Sequence, residues 1–147
     1  IEVPMNVGRY WLVVETDVTE ATGTGERDAG AAMLVRRGRR GATLGADKAY
    51  DTRGFVAAVR AAGGVPHVAQ NTRGRRSAID RRTTRHVGYT LSQRIRHRVE
   101  PIFGWLKTVG PVRQTHFRGR RKVHWQFTFA ATVYNLVRMR TLLAATG

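Results

Sequence analysis

The spacing of apolar and polar positions changes period several times along the chain, and each change predicts an element. Tyr10-Trp11-Leu12-Val13-Val14-Glu15 reads as a strand, with Ile1 to Met5 pairing beside it through a tight connection at Asn6-Val7-Gly8-Arg9. A helix is predicted from Gly25 to Arg37, with Thr24 as its cap, Glu26 and Asp28 in its first turn, and Ala31, Ala32, Leu34 and Val35 facing in. Gly38 is its stop. The short apolar run Ala42-Thr43-Leu44-Gly45-Ala46 predicts a buried strand with Asp47 at its carboxyl end. A second helix follows, capped by Thr52, facing Phe55, Val56 and Val59 inward and ending at Gly63-Gly64. Val65-Pro66-His67-Val68-Ala69 is a further short strand, its proline suited to an edge or a strand start. Strands alternating with helices in this way predict an α/β fold with parallel strands.

From Asn71 to Gly88 the periodicity dissolves into Thr, Gly, Arg and Asp, which predicts a long cationic loop. A helical period then returns. At about 100° per residue, Gln93, Arg96, Glu100 and Lys107 fall on one stripe, beside an apolar face of Leu91, Ile95, Val99, Ile102, Phe103 and Leu106. Pro101 removes a backbone donor from that segment, so the helix kinks there or restarts with the proline in its first turn. After a connector from Gly110 to Gly119, a last helix is predicted over Arg121 to Ala144, with Val123, Phe127, Ala130, Ala131, Tyr134, Leu136, Val137 and Leu142 available for burial. The helical spacing of Trp105, Trp125, Phe127 and Phe129 favours core positions over base-stacking ones.

At 147 residues and 41% apolar content the chain has enough material for one core, and a single domain over residues 1–147 is expected. The absence of cysteine excludes disulfides, thiolate catalysis and Cys-ligated metals and fits a reducing cytoplasm. No apolar run approaches the roughly 18 to 20 residues of a membrane span. The start has no signal-peptide character and no initiator methionine, which points to a chain beginning partway through something larger. His67, His86, His97, His116 and His124 show no metal-ligand spacing and read as surface or DNA-facing residues, and Ser92 has no matching base in view.

The net charge is +16, and between Asn71 and Lys122 there are 15 lysines and arginines against two acids, Asp80 and Glu100. Such a concentration attracts phosphate, so the expected partner is nucleic acid and not a membrane, gripped diffusely by Arg73, Arg75, Arg76, Arg81, Arg82 and Arg85. A carboxylate within this field repels a polynucleotide backbone unless a divalent cation lies between them, which makes Glu100 a candidate metal ligand. Asp47, at a strand end where ligands collect in open α/β sheets, is the second candidate. The competing readings are structural: Asp47 as a turn cap, Asp51 as a helix cap, and Arg96 as an i,i+4 partner of Glu100.

With these motifs in order, Asp47-Lys48-Ala49-Tyr50-Asp51, Val68-Ala69-Gln70-Asn71-Thr72, and the Arg96, Glu100 and Lys107 series with Phe103-Gly104-Trp105-Leu106-Lys107, the chain resembles the C-terminal part of the catalytic domain of DDE transposases from bacterial insertion sequences of families four and five. The resemblance runs from about Tyr10 to Leu143. It implies an RNase H-like mixed sheet flanked by helices that lacks its first central strand, which would leave the strand ending at Asp47 without a neighbour. It also implies a site of three acids holding two magnesium or manganese ions, which hydrolyse a DNA phosphodiester and then join the freed 3′-hydroxyl to target DNA. Asp47 matches the second acid and Glu100 the third, with Arg96 and Lys107 as DNA contacts. The family's tyrosine is Gln93 here, able to hydrogen-bond DNA but not to stack, and the glycine usual before Tyr50 is Ala49. The first acid precedes the matched pattern, and neither Glu15 nor Asp17 is suitably placed for it. The resemblance therefore implies a transposition domain that binds double-stranded DNA, partners a second copy or a full-length transposase subunit, resides in the bacterial cytoplasm at the nucleoid, and is inactive and marginally folded alone. The alternative is a non-catalytic DNA-binding remnant or subunit-interaction module. A basic RNA-binding protein is a third reading, but no aromatic ribonucleoprotein motif accompanies it.

Overall fold

The computed structural model describes residues 5–7, 10–37, 40–110 and 112–145. The expectations for Ile1 to Pro4, for Gly8 and Arg9, and for Gly38 as a helix stop lie outside these residues. In chain order the elements are β1 (Met5–Val7), β2 (Val13–Thr16), α1 (Gly25–Arg37), β3 (Thr43–Ala46), α2 (Arg53–Ala61), β4 (Val65–Val68), α3 (Arg81–Thr84), α4 (Val87–Ile95), α5 (Glu100–Thr108) and α6 (Arg120–Ala144). Short 3₁₀ turns occupy Lys48–Tyr50 and Arg96–Val99. The chain divides into two compact units, Ile1–Glu26 with Arg98–Gly147, and Arg27–His97.

In the first unit β1 and β2 pair antiparallel, with a register irregularity between Asn6 and Val7. A hairpin forms as the sequence predicts, but Asn6 and Val7, read as its connection, belong to its first strand, and its second strand starts later: Tyr10 and Trp11 form a bend in which Trp11 has φ 63, a value that excludes it from a strand. Helix α6 packs along β2, and its polar side chains satisfy the strand's backbone. Asn135 Oδ1 accepts from Val13 N at 2.8 Å while Asn135 Nδ2 donates to Val13 O at 2.7 Å, a side-chain amide standing in for a neighbouring strand. His124 Nε2 donates to Thr16 O at 3.1 Å, and the Tyr134 hydroxyl donates to Trp11 O at 3.2 Å. Beneath them Val13, Ile102, Leu106, Phe127, Ala130 and Ala131 form the core.

The inward positions of α6 are thus the predicted Val123, Phe127, Ala130 and Ala131, but Leu136 and Val137 are exposed. So are Trp125 and Phe129, assigned to the core by their spacing. A helix that covers a two-stranded hairpin and one other helix buries one face only, and these residues lie on the other. At the end of α5, Gly110 allows close approach: a Cβ there would lie 2.8 Å from Leu106 O and 3.3 Å from Ala130 Cβ.

In the second unit β3 and β4 are parallel, with Thr43 opposite Val65 and Ala46 opposite Val68, joined by α2 as the alternation predicts. Thr52 Oγ1 accepts from Phe55 N at 3.2 Å, and Gly63, at φ 77, turns the chain out of the helix. Leu34, Phe55, Val56, Val59, Val68 and Ile79 make the core. From α1 it takes Leu34, while Ala29 and Met33 are also buried and Ala32 and Val35 face outward, contrary to the predicted face. The helix's Gly30 lies against Tyr50 and Phe55, which rotates the packed stripe toward 29, 30, 33 and 34. β3 is not buried: Thr43 and Gly45 are exposed, because among the described residues it has β4 as its single neighbour.

Two further expectations change. Residues 71–88 are not all loop, since Asp80 caps α3 and α4 begins at Val87. The helical stretch around Glu100 is not one helix either. Pro101 cannot donate to the preceding turn and its ring crowds the carbonyl four residues back, so the chain tightens into the 3₁₀ turn at Arg96–Val99 and restarts as α5 with Pro101 in its first turn. The restart was one of the two predicted outcomes; the uninterrupted stripe of Gln93, Arg96, Glu100 and Lys107 is lost with the continuous helix.

Candidate catalytic acids and nucleic-acid interface

Asp47 leaves the carboxyl end of β3 exposed, and its Oδ1 accepts from Ala49 N at 2.7 Å to cap the 3₁₀ turn. The cap reading is therefore realised. One carboxylate oxygen is thus used structurally. Asp51 closes the 3₁₀ turn through its backbone, but its side chain neither caps α2, which Thr52 does, nor lies at the surface as a ligand. It is fully buried, accepts from Asn71 N at 2.6 Å and Ala78 N at 2.9 Å, and its carbonyl takes the Arg75 guanidinium. One carboxylate thus ties down Asn71 and Ala78, on either side of Arg73, Arg75 and Arg76. No local signal could have shown this, since its partners lie 20 and 27 residues away.

The cationic side chains of that segment divide by their partners. Arg75 is held by Asp51, and Arg82 donates to Asp80 Oδ2 through Nε at 2.9 Å and Nη2 at 2.7 Å. Arg60 reaches the other Asp80 oxygen at 3.2 Å. The hydrogen bond from Arg82 chiefly holds the Asp80 carboxyl below its ordinary value and raises the Arg82 guanidinium. Arg73, Arg76, Arg81 and Arg85 are exposed. Arg76, Arg81 and Arg82 line an open depression of about 580 Å³ together with Gln70, Thr72 and Thr84.

Helix α4 fastens to β4 by the device that α6 uses on β2. Gln93 Nε2 donates to His67 O at 2.8 Å, the Tyr89 hydroxyl donates to Val68 O at 3.0 Å, and Ser92 Oγ is hydrogen-bonded to His67 Nδ1 at 2.6 Å. His67 is buried beneath Tyr89, which corrects its assignment to the surface. His124, half-buried on α6 and bonded to Thr16 of β2, is corrected likewise. Burial and the neighbouring His86 push the His67 imidazole below 6.5, and burial raises the Tyr89 phenol. The histidine facing Ser92 was missed from sequence because it comes from a strand 25 residues away. Arg96 is half-buried, and its Nε has no hydrogen-bond partner among the described residues.

In the first unit Glu100 is exposed as the first residue of α5, where a carboxylate complements the helix dipole. Lys107, in the last turn of the same helix, lines a cleft of about 370 Å³ with Arg113, Thr115 and Gln126 over an apolar floor that includes Phe103 and Phe127. Asp47 and Glu100 belong to different units. Their oxygens have the hard character that magnesium or manganese selects, yet among the described residues no three His, Asp or Glu side chains form a metal-holding group. The described residues fall short of a two-ion site.

The parallel β3–α2–β4 unit, with an acid at a strand's carboxyl end and a cationic segment after it in sequence, defines a mixed α/β class with a small parallel sheet flanked by helices. Residues 9–136 match the transposase DDE domain family, and the chain belongs to that family, whose role is DNA transposition. No curated protein and no solved structure matches the chain. Among the described residues no helix is long and apolar enough to cross a membrane.

Proposed function

We propose that this chain is the C-terminal part of an insertion-sequence transposase catalytic domain of families four and five, RNase H-like, and that it grips element-end duplex DNA without cutting it alone. The family match over residues 9–136 carries this reading. In it the two compact units are parts of one domain. Asp47 and Glu100 are two of the three acids that a two-ion magnesium or manganese site needs, and Arg96 and Lys107 contact DNA phosphates beside them. Arg73, Arg76, Arg81 and Arg85 supply a diffuse grip, with Arg75 and Arg82 adding charge from anchored positions. Gln93 has its Nε2 committed to β4, so its contribution is limited to its remaining amide oxygen. A homo-oligomer, or a complex with a full-length transposase subunit, is part of the proposal, as is a place at the nucleoid.

The metal assignment is tested by titrating Mn²⁺ into the purified chain and following the free ion by paramagnetic resonance. Weak binding is expected, lost equally in Asp47→Ala, Glu100→Ala and the double variant. If either single variant binds Mn²⁺ as the parent chain does, the two acids do not share an ion. The competing reading, a DNA-binding remnant without a metal role, is favoured by the absence of a three-acid group among the described residues. It predicts no Mn²⁺ binding and unchanged DNA affinity in both variants.

A further inference from the structure

Three aromatic rings on the surface of the first unit have no role in the site described above. Phe117 is 42% exposed, Trp125 61% and Phe129 59%, large values for side chains that gain most by burial. They are arranged as a group. Trp125 and Phe129, one helical turn apart on α6, are stacked with centroids 5.5 Å apart and planes within 10°, and Phe117 stands edge-on to Trp125 at 6.4 Å. The loop bearing Phe117 is fixed to the helix: Thr115 Oγ1 bonds Gln126 Oε1 at 2.7 Å and accepts from Phe117 N at 3.1 Å. The rings are therefore held in place before any ligand arrives.

The surroundings select the ligand. Arg118, Arg120, Arg121 and Lys122 are exposed beside the rings, and Arg121 and Lys122 precede Trp125 by four and three residues, on the same helical face. From Pro101 to Gly147 the sequence contains no aspartate or glutamate. Flat apolar faces with these cations next to them along the chain fit a chain of aromatic bases joined by phosphates. A duplex covers its base faces by its own stacking, so only unpaired nucleotides can use the rings.

We propose that Phe117, Trp125 and Phe129 form a stacking platform for the bases of unpaired DNA, with Arg118, Arg120, Arg121 and Lys122 on its phosphates. This rests on the DNA-binding reading and adds to it a site for single strands, separate from the duplex grip of the cationic segment.

The test compares the full chain's affinity for short oligo-dT and for a blunt duplex, by fluorescence anisotropy at low salt. Trp125→Ala and Phe129→Ala are each expected to weaken oligo-dT binding about tenfold, with duplex affinity changed less than about twofold, and Trp125→Phe to retain most of the parent affinity. Both side chains are exposed, so the alanine variants keep the fold, as a thermal melt will verify. If the parent chain binds neither DNA, the DNA reading fails and the platform with it. If it binds duplex but the alanine variants hold oligo-dT as tightly as the parent, the platform alone is wrong. Loss of self-association in those variants with both DNA affinities intact would assign the rings to a protein contact instead.

Discussion

His67 shows how a single side chain couples packing to pH. It is buried on β4 with Nδ1 bonded to Ser92 Oγ, and burial, aided by His86, holds it below 6.5. A folded-state value below the unfolded one means that the unfolded chain takes up protons first as pH falls. The stabilisation is therefore complete above 6.5 and is lost as pH drops from there through the folded value. Melting temperature measured between neutral and mildly acidic pH should fall in the parent chain and fall less steeply in His67→Gln. Equal slopes would mean that His67 is not the titrating group. Asn135 is the second residue whose weight can be read directly. Its amide makes both hydrogen bonds to Val13, so Asn135→Ala leaves a strand donor and acceptor unpaired and should cost about 1 to 3 kcal/mol, read from a denaturant melt. A loss of a few tenths would show that water replaces the amide freely.

At the scale of elements, what could be read in advance was what local sequence encodes. Thr52, the inward Phe55, Val56 and Val59, and Gly63-Gly64 define α2 within a dozen residues, and the parallel pairing of its flanking strands follows. The buried half of α6 was legible for the same reason. What escaped depends on distant partners: Asp51 serves a segment 20 residues on, His67 meets Ser92 through a strand-to-helix contact, and Trp125 and Phe129 share the core period but not the core face. Asp47 was legible as a residue at a strand end, but the role of its Oδ1 as a cap and the exposure of β3 depend on how many strands surround it. The α5–α6 contact offers an element-level test. Gly110→Ala would place a methyl 2.8 Å from Leu106 O, and the resulting displacement should cost about 1 to 3 kcal/mol of stability. An unchanged melt would mean that the helix end yields freely.

At the scale of the whole molecule, charge is the dominant property. The chain carries +16 overall, and the exposed Arg73, Arg76, Arg81 and Arg85 are among those free to meet phosphate, whereas Arg75 and Arg82 are already engaged within the protein. Replacing Arg73, Arg76, Arg81 and Arg85 together by glutamine should therefore weaken duplex binding more than replacing Arg75 and Arg82, whose loss should show mainly as reduced stability. The reverse order, in filter-binding and melting data on the two variants, would show that the engaged pair dominates the grip. The most direct test of a DNA-gripping transposase domain that does not cut alone is duplex affinity followed against salt in the presence of magnesium, with the DNA then analysed for nicks. Each phosphate neutralised contributes about −0.9 to the slope of log affinity against log salt, so a steep negative slope with intact DNA is expected. Affinity that stays flat from low to high salt, or magnesium-dependent nicking by the purified chain, would contradict it.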